Sequence, residues 1–184
     1  MNAKRRRVIA GGLLVFVPGV VRAACMATPR DALGPFYVEG APKRSVLCAS
    51  GSGGREPLIV SGRIVGLPDC APLAGALVEV WQADAQGGYT QVSRNRRDDP
   101  NCLLRAALNT DGEGRYRFET ILPSEYTGRP RHIHYRVSRA GYATLVTQMY
   151  FERGRGIPEA LVASAKPDSK GVLSASFDVT LARE

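Results

Sequence analysis

Ala76-Leu77-Val78-Glu79-Val80-Trp81-Gln82-Ala83 alternates. Ala76, Val78 and Val80 fall on one face, and Leu77, Glu79 and Trp81 on the other. A side-chain period of two is the mark of a strand with two different faces. Valine and tryptophan also suit a pleated surface. Upstream, Leu58–Val65 has the same character and is closed off by Gly66-Leu-Pro-Asp69 and Ala71-Pro72. Downstream, Leu103–Leu108, Tyr116–Ile121, His132–Ser138, Thr144–Phe151 and Ser174–Leu181 repeat it between turn signals. Helical periodicity is nearly absent, and only Pro158–Ala165 is a candidate for a short helix. Short strands separated by turn residues predict an all-β chain: a β-sandwich of two sheets with long connecting loops and little helix. Asp111-Gly112-Glu113-Gly114 lacks the spacing of a calcium loop and reads as a tight turn.

The formal charge of +8 invites a nucleic-acid reading until the charges are located. Lys4, Arg5, Arg6, Arg7 and Arg22 lie in residues 1–23, which contain no acid, leaving 20 basic against 17 acidic residues in the rest. That balance implies no nucleic-acid partner. Arg94-Asn-Arg-Arg97 is followed at once by Asp98-Asp99 and reads as a solvated loop. The basic cluster precedes an apolar run, Val8–Val21, and then Val21-Arg22-Ala23, an A-x-A-like cleavage site. This is the pattern of a secretory signal peptide; the run is too short for a comfortable membrane span. The paired arginines fit both a twin-arginine route and the general secretory route, whereas Arg22 disfavours a lipoprotein anchored through Cys25. The expected organisation is a signal peptide at 1–23, an N-terminal arm with a flexible Gly/Ser loop at 24–57, and one sandwich domain at 58–184. The expected location is the periplasm or the medium, with no stable membrane insertion once the leader is gone.

Export gives the cysteines an oxidising compartment. Cys25, Cys48, Cys70 and Cys102 allow three pairings. Cys25–Cys48 with Cys70–Cys102 is the favoured set, tying the arm to itself and one loop to another. None of the four has zinc-finger spacing.

His132 and His134 are the only histidines. On a strand, residues two apart share a face, so both imidazoles aim at one point while Ile133 and Tyr135 face the opposite layer. Tyr126 and Arg129 lie just upstream, and Tyr89 ends the run Val78-Glu-Val-Trp-Gln-Ala-Asp-Ala-Gln-Gly-Gly-Tyr89. With no third histidine, a metal at this point needs other ligands, and tyrosinate is a candidate. Taken singly, each residue has a structural explanation: a surface histidine, a hairpin tyrosine, a capping aromatic.

Taken in order, they resemble a family. Thr28-Pro29, Gly34-Pro35-Phe36-Tyr37, Leu77–Tyr89, Asp99-Pro-Asn101, Thr110–Pro123, Tyr126, Arg129-Pro-Arg-His-Ile-His134 and Thr147-Gln148-Met-Tyr-Phe151 are similar to the intradiol ring-cleavage dioxygenases. That family includes catechol 1,2- and protocatechuate 3,4-dioxygenases, and the wording around Trp81 and Gln148 looks closer to the protocatechuate branch. The resemblance implies a non-haem Fe(III) held by Tyr89, Tyr126, His132 and His134. Phenolate oxygen suits that hard, highly charged ion better than thiolate does. It further implies that a small aromatic diol and O2 are the substrates and a cis,cis-muconate the product. Tyr126 would leave the iron and accept a substrate proton, and Arg129 and Gln148 would steady negative charge. Tyr37 is a candidate substrate contact, with packing of its arm as the alternative reading.

The chain departs from the family in its short length, the two-residue gap between Tyr126 and Arg129, an abbreviated segment after Phe151, and Cys102 at a position usually aromatic. It also lacks the helical dimerisation region of the catechol branch, which leaves oligomerisation open. Two other readings compete. Val60-Ser-Gly62, Pro72–Val80 and Gly114–Phe118 also resemble transthyretin-like modules, which are non-catalytic binding sandwiches. An exported hydrolase with another metal would need a water-activating carboxylate, for which Glu125 is the near candidate.

Overall fold

The computed structural model describes residues 25–49, 56–89 and 101–184. The expected leader, the Gly/Ser loop from Ser50 to Gly54 and Arg94–Arg97 lie outside the described residues. Among the described residues ten strands form two sheets: β1 (Pro57–Gly66), β2 (Ala71–Pro72), β3 (Leu77–Gln82), β4 (Arg105–Asn109), β5 (Arg115–Ile121), β6 (His132–Arg139), β7 (Tyr142–Tyr150), β8 (Lys166–Pro167), β9 (Leu173–Ser176) and β10 (Val179–Leu181). One sheet is built around β1, which pairs with β5 and β2 antiparallel and with β9 and β10 parallel. The other runs β4-β3-β6-β7.

The inner faces meet in one core. Val78, Val80, Ile133, Tyr135 and Met149 pack against Leu58, Val60, Ile64, Phe118 and Val179. Tyr135 and Phe118 are fully buried, and removing such side chains from water contributes about 1.5–3 kcal/mol each. The region read as a helix, Pro158–Ala165, holds only a 3-10 turn over Glu159–Leu161. Extended backbone at Pro158 and Val162 bounds it on either side, and Ala163 N–H donates to the Tyr150 carbonyl instead. The expected final strand, Ser174–Leu181, is divided into β9 and β10 in one continuous register against β1. The break falls at Phe177-Asp178, where the Asp178 carboxylate accepts the Arg63 N–H. Asp111 closes the tight turn before β5 by accepting the N–H groups of Glu113 and Arg115.

The disulfides correct the expected pairing. Cys25 is joined to Cys70, and Cys48 to Cys102. The physical reason is strand pairing. Cys48 and Cys102 face each other across an antiparallel bridge flanked by Ala49 N–H to the Asn101 carbonyl and Leu104 N–H to the Leu47 carbonyl. Thr28 and Leu67 both donate to β10, at the carbonyls of Thr180 and Leu181, and this sets the start of the arm beside the turn that holds Cys70.

Candidate metal centre and active site

The outer face of the β4-β3-β6-β7 sheet is where the polar side chains collect. Register places Trp81 opposite His134, His134 opposite Gln148, and His132 opposite Tyr150. All five therefore share one face, turned away from the core. His132, His134 and Gln148 are nonetheless buried, because loops and the N-terminal arm cover them.

Two loops deliver the tyrosines. After β3 the chain turns around Asp84, whose carboxylate accepts the N–H groups of Gln86 and Gly88, both at 2.8 Å. Gly87 supplies the positive φ of 79° that this turn requires. Tyr89 is thereby returned over the sheet and buried. Ser124 N–H donates to the Asp84 carbonyl, so the Tyr126 segment is tied to the same turn. Tyr126 and Arg129 flank a two-residue turn, exchanging backbone hydrogen bonds across Thr127 and Gly128, both at positive φ. The short gap noted in the sequence is this turn. Tyr126 is half-buried, with its ring edge-on to Tyr89 at 5.5 Å and to Phe36 at 5.1 Å.

Three of the four side chains expected to hold a metal converge, and the ring of the fourth, Tyr126, packs edge-on against Tyr89. His134 Nε2 lies 3.2 Å from the Tyr89 hydroxyl, and His132 Nε2 lies 3.5 Å from the same atom. His132 Nδ1 is engaged by the Pro130 carbonyl at 2.7 Å, which fixes the tautomer whose Nε2 carries the lone pair. Burial lowers the pKa of His132, and it lowers that of His134 to about 3, with His132 and Arg129 adding to the latter shift. Both rings are therefore neutral, the form that binds metal. Burial pushes the Tyr89 phenol far up, and Arg129 opposes it.

This donor set fits a cation. When His134 carries its proton on Nδ1, as His132 does, both Nε2 atoms present lone pairs to the Tyr89 hydroxyl, and its one proton can satisfy only one of them. A cation among the three atoms would satisfy all of them and offset the cost of burying a phenolate. Among the described residues no cluster of three His, Cys, Asp or Glu could hold a metal, so phenol oxygen is the donor available to complete this one.

Arg129 stands beside the centre. Its Nη2 donates to Gln148 Oε1 at 2.9 Å and to the Tyr150 hydroxyl at 2.8 Å. Gln148 Nε2 donates to the Ala32 carbonyl. Burial, with help from Asp31, pushes the Tyr150 phenol up to about 12, so the group stays protonated. Tyr37 packs on Trp81 at 5.0 Å, and its hydroxyl donates to Glu79, which is paired with Arg136. A cavity of about 470 Å³ opens beside Arg129, Tyr150 and Arg155. A larger hollow of about 590 Å³ lies on the other sheet around Arg63 and Asp178 and contains none of these groups.

Residues 32–182 match the family model described as Dioxygenase. The chain belongs to the intradiol ring-cleavage dioxygenases. It is 35% identical over 142 residues to catechol 1,2-dioxygenase 2 of Acinetobacter lwoffii, a match covering 66% of this chain and 50% of that one. It is 33% identical over 183 residues to 6-chlorohydroxyquinol 1,2-dioxygenase of Cupriavidus pinatubonensis, covering 84% and 64%. Among solved structures, the dioxygenase domain of a dioxygenase carbohydrate-binding protein fusion from Streptomyces sp. SirexAA-E superimposes with a TM-score of 0.72 at 31% identity. That match covers 86% of this chain and all of that domain. Chlorocatechol 1,2-dioxygenase of Rhodococcus opacus gives a TM-score of 0.76 at 28% identity, covering 85% and 72%. The chain spans half the length of the Acinetobacter relative.

Several residues of this intradiol site escaped the sequence. Trp81 stacks on His134 with ring centroids 4.8 Å apart, and Phe36 stacks on Tyr89 at 4.1 Å. Tyr150 was legible in principle, since it lies two residues beyond Gln148 on the same strand face. Asp31 carried no signal, because the arm has no periodicity.

Proposed function

We propose that this chain is an exported Fe(III) dioxygenase that cleaves a catechol-type ring between its two hydroxylated carbons with O2 to give a cis,cis-muconate. The observation that carries this reading is the meeting of Tyr89, His132 and His134 at one point, with the Tyr126 ring against it. Ferric iron held by Tyr89, Tyr126, His132 and His134 would supply Lewis acidity and a template for the two catechol oxygens. The chain's own groups have separable tasks. Tyr89 and the two buried histidines form the rigid side of the site. Tyr126 is the less buried tyrosine and sits on a tight turn, so its phenolate is the one suited to swing aside and take a substrate proton at Oη. Arg129 and Gln148 present charge and an amide to the anion that develops on the substrate. Tyr37 holds the arm over the site through Glu79 and lies near enough to Trp81 to shape the wall that a substrate ring meets. The leader-like residues 1–23 and the two disulfides support an extracytoplasmic location.

The names of the relatives point to catechols, chlorinated catechols and hydroxyquinol as first substrates to try. Iron-loaded protein is incubated with each in air, and products are identified by mass and ultraviolet absorbance. Muconates carrying two added oxygen atoms are expected. Ring opening next to, rather than between, the hydroxyls overturns the reading, as does iron-loaded protein inert toward all of them.

A further inference from the structure

The N-terminal arm does more than cover the outer sheet. Asp31 N–H donates to the Val146 carbonyl, Thr147 Oγ1 to the Pro29 carbonyl, and Gln148 Nε2 to the Ala32 carbonyl. These three bonds fasten residues 29–32 along β7, next to Gln148 and Tyr150. A fourth contact is of another kind. The Tyr150 hydroxyl lies 2.8 Å from Asp31 Oδ2, 2.9 Å from Gln148 Oε1 and 2.8 Å from Arg129 Nη2.

The hydroxyl has one proton and three neighbours. Arg129 can only donate, so the Tyr150 oxygen accepts from it. The proton then goes to Asp31 or to Gln148. A carboxylate is the stronger acceptor, since hydrogen bonds to ionised groups are about twice as strong as neutral ones. With the proton on the Asp31 side, Gln148 Oε1 is left to accept from Arg129, and both hydrogens of Arg129 Nη2 are committed. Among the described residues no other group is bonded to that guanidinium, so Nη1 and Nε remain for the site. We propose that Asp31 is a positioning residue: acting through the Tyr150 hydroxyl, it fixes the orientation of the Arg129 guanidinium and of Gln148. Removing the carboxylate frees the hydroxyl to turn toward Gln148, where it competes with Arg129 for the same oxygen. The guanidinium then loses its fixed direction although Arg129 and Gln148 are both intact.

This inference rests on the ring-cleavage reading for its catalytic consequence and on geometry alone for its structural one, and the test separates the two. Asp31→Ala, Asp31→Asn, Tyr150→Phe and the Asp31→Ala/Tyr150→Phe double variant are compared with the full chain. Rotation of the Arg129 guanidinium is followed by 15N NMR in protein loaded with diamagnetic Ga(III), with the signal assigned by its loss in Arg129→Lys. Faster rotation is expected in Asp31→Ala and Tyr150→Phe, an intermediate rate in Asp31→Asn, and no further change in the double variant. Turnover of catechol by iron-loaded protein is expected to fall by about tenfold in kcat, as for other groups that orient a ligand's neighbours. KM and iron content should change less than about twofold, and the loss should vanish in the Tyr150→Phe background. A merely structural Asp31 would lower the melting temperature and multiply its effect with that of Tyr150→Phe. Unchanged Arg129 rotation in Asp31→Ala, or multiplicative losses, overturns the proposal. Altered rotation in a protein that cleaves no catechol upholds the positioning and refutes the ring-cleavage reading.

Discussion

The Trp81 indole lies parallel to the His134 imidazole, with planes 6° apart and centroids 4.8 Å apart. On the same imidazole, a Cβ added to Gly34 would come within 3.1 Å of Cε1. The ring is held between a stacked indole and a glycine that leaves it just enough room. Packing therefore helps to set the orientation of this imidazole, together with the contact of its Nε2 with the Tyr89 hydroxyl.

Trp81→Leu removes the stacked plane while keeping an apolar side chain. Iron affinity is expected to fall by about 10–100-fold, the usual effect of losing a group that orients a metal ligand. Competition with a calibrated chelator measures it; unchanged affinity would show that the indole orients nothing.

Tyr89→Phe, His132→Ala and His134→Ala should each abolish turnover or iron retention. The iron-loaded parent protein is expected to be burgundy from tyrosinate-to-iron charge transfer, and Tyr89→Phe should shift or bleach that band. Visible spectra together with metal analysis decide the matter. A variant with full colour and full activity removes its residue from the ligand set.

Alkali should unfold the protein through its core tyrosines. Burial raises the pKa of Tyr116 and of Tyr135, both on the core side of the sandwich and turned away from the site, and Tyr116 also donates to the Phe177 carbonyl. A phenol whose pKa is raised on folding contributes its full stability below the unfolded value of about 10 and loses it as pH climbs beyond. Each group then costs up to about 1.4 kcal/mol per pH unit. Tyrosinate absorbance and far-ultraviolet circular dichroism are expected to change together above that pH. Ionisation of these tyrosines in a still-folded protein would contradict the burial argument.

Cys48–Cys102 closes a loop with a sequence separation of 54. Constraint of the unfolded chain on that scale contributes about 2–4 kcal/mol. Cys102→Ser should lower the denaturant midpoint and raise the slope, because the released unfolded chain exposes more surface. A non-reduced digest should yield the peptides Cys25–Cys70 and Cys48–Cys102. Recovery of Cys25–Cys48 would refute the pairing.

The strands were legible because each carries its own period-two pattern, and β6 shows how far such a pattern reaches. Ile133 and Tyr135 enter the core while His132 and His134 face outward, as alternation alone requires. β9 and β10 were legible as one strand but not as two. Their interruption comes from a partner, β1, whose Gly62 is the one residue type that admits the Phe177 carbonyl at that point.

The sequence by itself determined the alternating strands, the sharing of one face by both histidines, and the ordered motifs of the intradiol family. These depend on neighbours along the chain, where the backbone period dictates direction. The tertiary structure alone decided the cysteine partners, the stacking of Trp81 on His134 and Phe36 on Tyr89, and the reach of Asp31 to Tyr150. Asp31 and Tyr150 are 119 positions apart, and Cys48 and Cys102 are brought together by a bridge between segments that share no local signal. Contacts of that kind arise from sheet register and the docking of an aperiodic arm, and no short-range pattern in the chain encodes them.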